Sequence, residues 1–126
     1  NKTLKKKRLS KAIKYASLDN FVKNINKGIN YNVGENGSKL SGGQIQRLGI
    51  ARSLYRMPEI LICDEITSSV DKITEKKILD TLLALKSKLT IIFITHRPEI
   101  INNYAVKKFV ITKDYRGNSK LKKIKR

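Results

Sequence analysis

The order of elements in this 126-residue chain predicts an α/β fold built on a partial parallel sheet. Three observations carry that reading. Ile60-Leu-Ile-Cys63 is a short, unbroken apolar run, and Leu89-Thr-Ile-Ile-Phe-Ile-Thr95 is a second. Between them, Asp71 to Lys86 carries apolar residues at helical spacing. Strand, helix, strand at this separation is a βαβ unit, and its two strands run parallel.

In chain order, the apolar residues from Arg8 to Ile25 recur at three and four, which predicts one or two short amphipathic helices. Residues 28–38 are rich in Gly and Asn and read as a loop. Ser41-Gly-Gly-Gln44 opens a helix to about Arg56, with Ile45, Leu48, Ala51 and Tyr55 on one side, and Pro58 stops it. Ile60–Cys63 has the look of a strand buried on both faces, ended by Asp64 and Glu65. The next helix is expected to turn Val70, Ile73, Ile78, Leu82 and Leu85 inward. Val106 to Thr112 and Lys120 to Ile124 read as two further strands, with Gly117 and Asn118 in a hairpin turn.

Composition excludes several classes. With 40% hydrophobic and 30% charged residues, the chain is too apolar for a disordered basic tail. No apolar stretch approaches the roughly 20 residues of a membrane span. The basic run Asn1 to Arg8 lacks the apolar segment of a signal peptide. The one cysteine, Cys63, forms no internal disulfide and suits a reducing compartment. Twenty-eight Lys and Arg against 10 Asp and Glu give +18, which invites a nucleic-acid reading. The joint richness in Lys, Asn and Ile favours compositional bias instead. The chain begins with Asn and its only Met is Met57, so it is expected to be a piece of a longer one.

Leu40-Ser-Gly-Gly-Gln44 is the most specific string, expected by chance in roughly one chain of this size in ten thousand. Ser41 is a good N-cap, and Gln44 stands where a capping box wants Gln or Glu. Gly42 and Gly43 leave bare N–H groups at a positive helix end, an anion cradle. An ordinary capped helix after a glycine loop is the plainer alternative. Asp64 ends a strand at the sheet edge where ligands of parallel α/β folds sit, and a carboxylate there can hold Mg²⁺. Glu65 can act as general base on a water. The plainer alternative is a pair of acids capping the next helix. His96 is the only histidine and follows the second strand, so it is expected at the same edge, placed to contact a terminal phosphate. A surface histidine is the bland alternative.

In this order and spacing, the motifs resemble the C-terminal half of the nucleotide-binding domain of an ABC transporter. Leu40-Ser-Gly-Gly-Gln-Ile-Gln-Arg47 resembles the family signature, with Ile50-Ala-Arg-Ser-Leu54 as its continuation. Ile60-Leu-Ile-Cys-Asp-Glu65 is similar to Walker B plus the catalytic glutamate, Ser68-Ser-Val-Asp71 to the D-loop, and Thr95-His96-Arg97 to the H-loop. The resemblance implies a P-loop NTPase-like partial parallel sheet with a helical signature subdomain. It divides the chain into 1–43, the helical subdomain and the loop leading to the signature, and 44–126, the rear of the ATPase core with a basic tail. Val33-Gly-Glu-Asn-Gly37 resembles the loop of exporter-type members, where Glu35 faces the membrane domain. An exporter of a lipid or lipid-linked glycan is the implied activity.

The family further implies a composite site between two nucleotide-binding domains, in a homodimer or heterodimer. Ser41, Gly42, Gly43 and Gln44 would touch the γ-phosphate of ATP held by the partner. Asp64 would serve Mg²⁺, Glu65 the lytic water, His96 the γ-phosphate of the chain's own ATP, and Asp71 would bind at the nucleotide from the D-loop. The implied place is the cytoplasmic face of the cell membrane, a bacterial inner membrane, beneath a transmembrane domain encoded upstream. Nucleic acid is not expected as a partner.

The departures are Cys63 for an aliphatic residue, Ser69-Val70 for Ala-Leu, and Pro98 where Leu-Ser is frequent. No Gly-x-x-x-x-Gly-Lys-Ser/Thr occurs, so these residues alone are expected neither to bind ATP tightly nor to hydrolyse it. The parallel strands are expected to be covered partly by elements outside these residues, so the chain alone is expected to expose an apolar edge. The other readings are a soluble ABC-type ATPase acting on nucleic acid or ribosomes, and an inactive truncated remnant or basic binding module.

Overall fold

The computed structural model of the chain describes residues 2–105 and 107–124. It divides into two compact units, Asn1–Ile94 and Thr95–Arg126.

In the first unit, α1 (Lys2–Tyr15) and α2 (Asp19–Asn24) lead through a loop with single 3-10 turns at Gly28–Asn30 and Glu35–Gly37. Then come α3 (Gly42–Tyr55), β1 (Ile60–Asp64), α4 (Lys72–Ala84) and β2 (Thr90–Ile94). The helix α1 begins six residues before Arg8, the start expected from periodicity. Its first two turns are almost wholly Lys, Arg and exposed, so the apolar spacing carried no trace of them. Helix α3 ends at Tyr55 because Pro58 cannot continue it, and Met57 takes the left-handed conformation common just past a helix end.

β1 and β2 pair in parallel, Ile60 opposite Thr90 through Asp64 opposite Ile94. One face carries Leu61, Cys63, Ile91 and Phe93. It packs on a core with Ile50, Ala51 and Leu54 of α3 and Ile78 and Leu82 of α4. The other face carries Ile60, Ile62, Ile92 and Ile94, which are 45% to 63% exposed. The expectation that β1 is covered on both faces is therefore corrected. Its side chains alternate in burial, because α3 and α4 pack on one face only. The exposed apolar surface is therefore a face of the sheet, where the sequence led to the expectation of an exposed edge.

Two helix faces also need correction. In α4 the buried residues are Glu75, Ile78, Leu79 and Leu82, whereas Ile73 is 71% exposed. Five residues before Ile78 places Ile73 about 140° around the helix, away from the core stripe. In α3 the core residues are Ile50, Ala51 and Leu54, while Ile45 and Tyr55 lie exposed.

In the second unit, α5 (Pro98–Tyr104) precedes β3 (Lys108–Lys113) and β4 (Ser119–Ile124), an antiparallel hairpin. The sequence reading did not anticipate α5, although Pro98 in its first turn, with its fixed φ, suits a helix start. The third strand starts later than expected, at Lys108; the expected start, Val106, lies outside the described residues. Asp114 organises the turn: its Oδ1 accepts the N–H groups of Arg116 and Asn118, each at 2.9 Å. Gly117 supplies the positive φ of +81°. Those bonds, the Asn118 N–H first, hold the Asp114 carboxyl below the usual carboxylate range.

Candidate functional site

The start of α3 is built as the sequence predicts. Ser41 Oγ accepts the Gln44 N–H at 3.3 Å, and Gln44 Oε1 accepts the Ser41 N–H at 2.9 Å, a closed capping box. Gly42 and Gly43 form the first turn without side chains, so their N–H groups stand at the positive helix end. Gly43 has a further reason to be glycine: a Cβ there would sit 2.8 Å from the Ser69 carbonyl oxygen. The loop after β1 thus lies directly on the α3 start.

Gln46 and Arg47 fix that start in place. Gln46 Nε2 donates to Ser68 Oγ at 2.9 Å, and Gln46 Oε1 accepts the Ser69 N–H at 3.1 Å. Arg47 Nε donates to the Gly43 carbonyl at 3.2 Å, and its Nη1 donates to the Ser17 carbonyl at 2.8 Å. Neither residue was singled out from the sequence. Within the signature string only their polarity, on a turn otherwise meant for packing, signalled them.

Asp64 is exposed at the end of β1. With Gln46, Ser53 and Cys63 it lines a cavity of about 180 Å³ between α3 and β1. Glu65 follows in the left-handed region at φ +46°, a conformation that costs a non-glycine residue energy and clusters at functional sites. Its N–H donates to the Ile94 carbonyl at 3.0 Å, tying it to the end of β2. The Ser68 N–H donates back to the Glu65 carbonyl at 3.1 Å, closing a turn.

Asp71 caps α4, its Oδ1 accepting the Thr74 N–H at 2.9 Å. That backbone bond is the main cause that holds its carboxyl below the ordinary range. The Cys63 thiol, desolvated on the covered face of β1, is pushed up to about 11. Glu35 stands exposed in its 3-10 turn, in a loop that lies against α3: a Cβ on Gly37 would come 3.2 Å from Ile45 Cγ1. His96 belongs to the second unit, two residues beyond Ile94 and exposed.

The structure thus brings together Ser41, Gly42, Gly43 and Gln44 with the loop that runs from Glu65 to Asp71. Among the described residues no three His, Cys, Asp or Glu side chains gather as a ready-made metal cage. One exposed carboxylate at a strand end is the donor set of Mg²⁺ bound chiefly through phosphate oxygens, so Asp64 fits that ion. Among the described residues no helix is long and apolar enough to cross a membrane.

Comparison with known proteins agrees with this arrangement. The family model described as "ABC transporter" matches residues 2–68. An "ATP-dependent lipid A-core flippase" of Cupriavidus pinatubonensis is 46% identical over 96 residues, which are 76% of this chain and 16% of the relative. "ABC transporter B family member 14" of Arabidopsis thaliana is 45% identical over 103 residues, 82% of this chain and 8% of the relative. Among solved structures, a bacterial Atm1-family ABC exporter with ATP bound superposes with a TM-score of 0.72 at 41% identity. That match covers 77% of this chain and 17% of the exporter. The chain therefore spans less than a fifth of the length of each of these relatives.

Proposed function

The chain belongs to the ABC transporter family, and on that premise we propose that it is the signature-bearing part of an exporter's ATPase. Residues 1–43 are read as its helical subdomain with the loop before the signature, and 44–126 as the rear of its core. The observation that carries this reading is the capped Ser41–Gln44 turn, seated against the loop that leads out of Glu65.

Bound ATP with Mg²⁺ supplies the phosphoanhydride whose hydrolysis drives transport. Toward it, each residue has a distinct task. The Ser41 hydroxyl and the N–H groups at the α3 start favour phosphate oxygens of ATP held by a second nucleotide-binding domain. Gln44 holds Ser41 in place through the capping box. Asp64 holds Mg²⁺. Glu65 accepts a proton from the lytic water, and His96 donates a hydrogen bond to a phosphate oxygen. Asp71, committed to the α4 cap, sets the end of the loop that faces the nucleotide. The grip on the β- and γ-phosphates comes from a Gly-Lys-Ser/Thr loop elsewhere in the exporter, since these residues contain none.

Exposed Glu35 is read as facing the transmembrane domain, and the chain as lying at the cytoplasmic side of the membrane. The lipid A-core flippase among the relatives supports a lipid or lipid-linked glycan as cargo. The decisive measurement is ATP hydrolysis by the intact exporter carrying this segment. Glu65→Gln is expected to lower kcat by about 10²-fold to 10⁴-fold, the usual contribution of a general base. An unchanged rate would sink the assignment.

A further inference from the structure

We propose that Gln46 is a positioning residue that latches the loop leading out of Glu65 onto the Ser41–Gln44 turn. Its amide is used at both ends, Nε2 on Ser68 Oγ at 2.9 Å and Oε1 on the Ser69 N–H at 3.1 Å. These contacts bridge 22 and 23 positions of sequence. They join two segments that share no secondary structure. On one side, Arg47 holds the first turn of α3 to the Ser17 carbonyl, so Gln46 projects from a fixed base. On the other side, the Ser68 N–H donates to the Glu65 carbonyl, so a displaced Ser68 moves the backbone of Glu65. Gly43 leaves little slack between the two, with the Ser69 carbonyl oxygen only 2.8 Å from where a Cβ would stand.

This inference rests on the composite-site reading for its consequence. There the Ser41–Gln44 turn serves the nucleotide held by the partner, and Glu65 serves the chain's own. One side chain then joins both sites within a single subunit, and the loop cannot relax at one without shifting at the other.

Two variants separate the latch from mere packing. Gln46→Met keeps the length and loses both bonds. Gln46→Glu keeps them, because its carboxylate accepts the Ser69 N–H and the Ser68 hydroxyl rotates to donate. In the 126-residue chain itself, hydrogen exchange at the Ser69 amide is expected to speed up roughly fivefold to tenfold in Gln46→Met and to return toward the parent rate in Gln46→Glu. Exchange that ignores Gln46→Met overturns the latch, whatever the chain does with ATP. In the intact exporter, Gln46→Met is expected to lower kcat about tenfold or more with KM for ATP within about twofold, and Gln46→Glu to recover most of it. An unchanged kcat, or a fall matched by an equal loss of folded protein, overturns the positioning role. Glu65→Gln measured beside them keeps the two ideas apart. If that variant hydrolyses ATP normally, the composite-site reading falls while the Ser69 exchange result still decides the latch.

Discussion

The two strand pairs of the molecule are of similar length and opposite character. β1 and β2, five residues each, are parallel, and one of their faces lies on the α3–α4 core. β3 and β4, six residues each, are antiparallel, and every strand residue except Lys108 is exposed. The connection explains the difference. A parallel pair needs a crossover, and here the crossover is α4, which brings its own apolar cover. A hairpin closes through the Asp114–Asn118 turn and brings none. Burial in this chain follows connectivity more closely than it follows hydrophobicity, since Ile111 and Leu121 are as apolar as Ile78 and Leu82.

The largest test of that contrast is a matched pair of truncations. Leu82→Ala, at a fully buried site, is expected to cost about 2–5 kcal/mol in chemical denaturation. Leu121→Ala, in the hairpin, is expected to cost less than about 0.5 kcal/mol. Equal losses would mean that the hairpin is covered as firmly as the parallel pair. Next in size is Gly43→Ala, which pushes a methyl group against the Ser69 carbonyl and is expected to cost about 1–3 kcal/mol. A normal melting temperature there would show that the loop yields freely.

Smaller again is the pH dependence of Cys63. Its thiol ionises at 9.0 when exposed and at about 11 in the fold. The folded chain keeps that proton over an interval where the unfolded chain has lost it. Stability from this group is therefore complete below pH 9 and falls as pH rises toward 11. The slope is expected to flatten in Cys63→Val relative to the parent chain, and identical slopes would place the thiol in contact with water.

The sequence made the order of elements in the first unit legible, because βαβ alternation and the capped glycine turn are local patterns. The capping box of Ser41 and Gln44 was readable to the atom for the same reason. The inward face of α4 was misread at Ile73, where an apolar residue beside the Asp71 cap imitates the core stripe. The helix α5 was missed because Pro98 was weighed as a departure from a motif rather than as a helix start. Gln46 and Arg47 stayed hidden because their partners stand between 22 and 30 positions away, apart from Gly43, and no short pattern encodes such pairings.

The backbone of Glu65 sets stability against the proposed chemistry at a single position. At φ +46° the fold itself would prefer glycine, which meets no steric cost there. The carboxylate that the proposed chemistry needs cannot be had from glycine. Random mutagenesis selected for thermal resistance would therefore favour Gly at this site and, with each success, return a sturdier chain without the carboxylate that the proposed chemistry requires. Among inactive substitutions, Gln leaves the backbone demand where it was and isolates the chemistry, whereas Gly changes both at once.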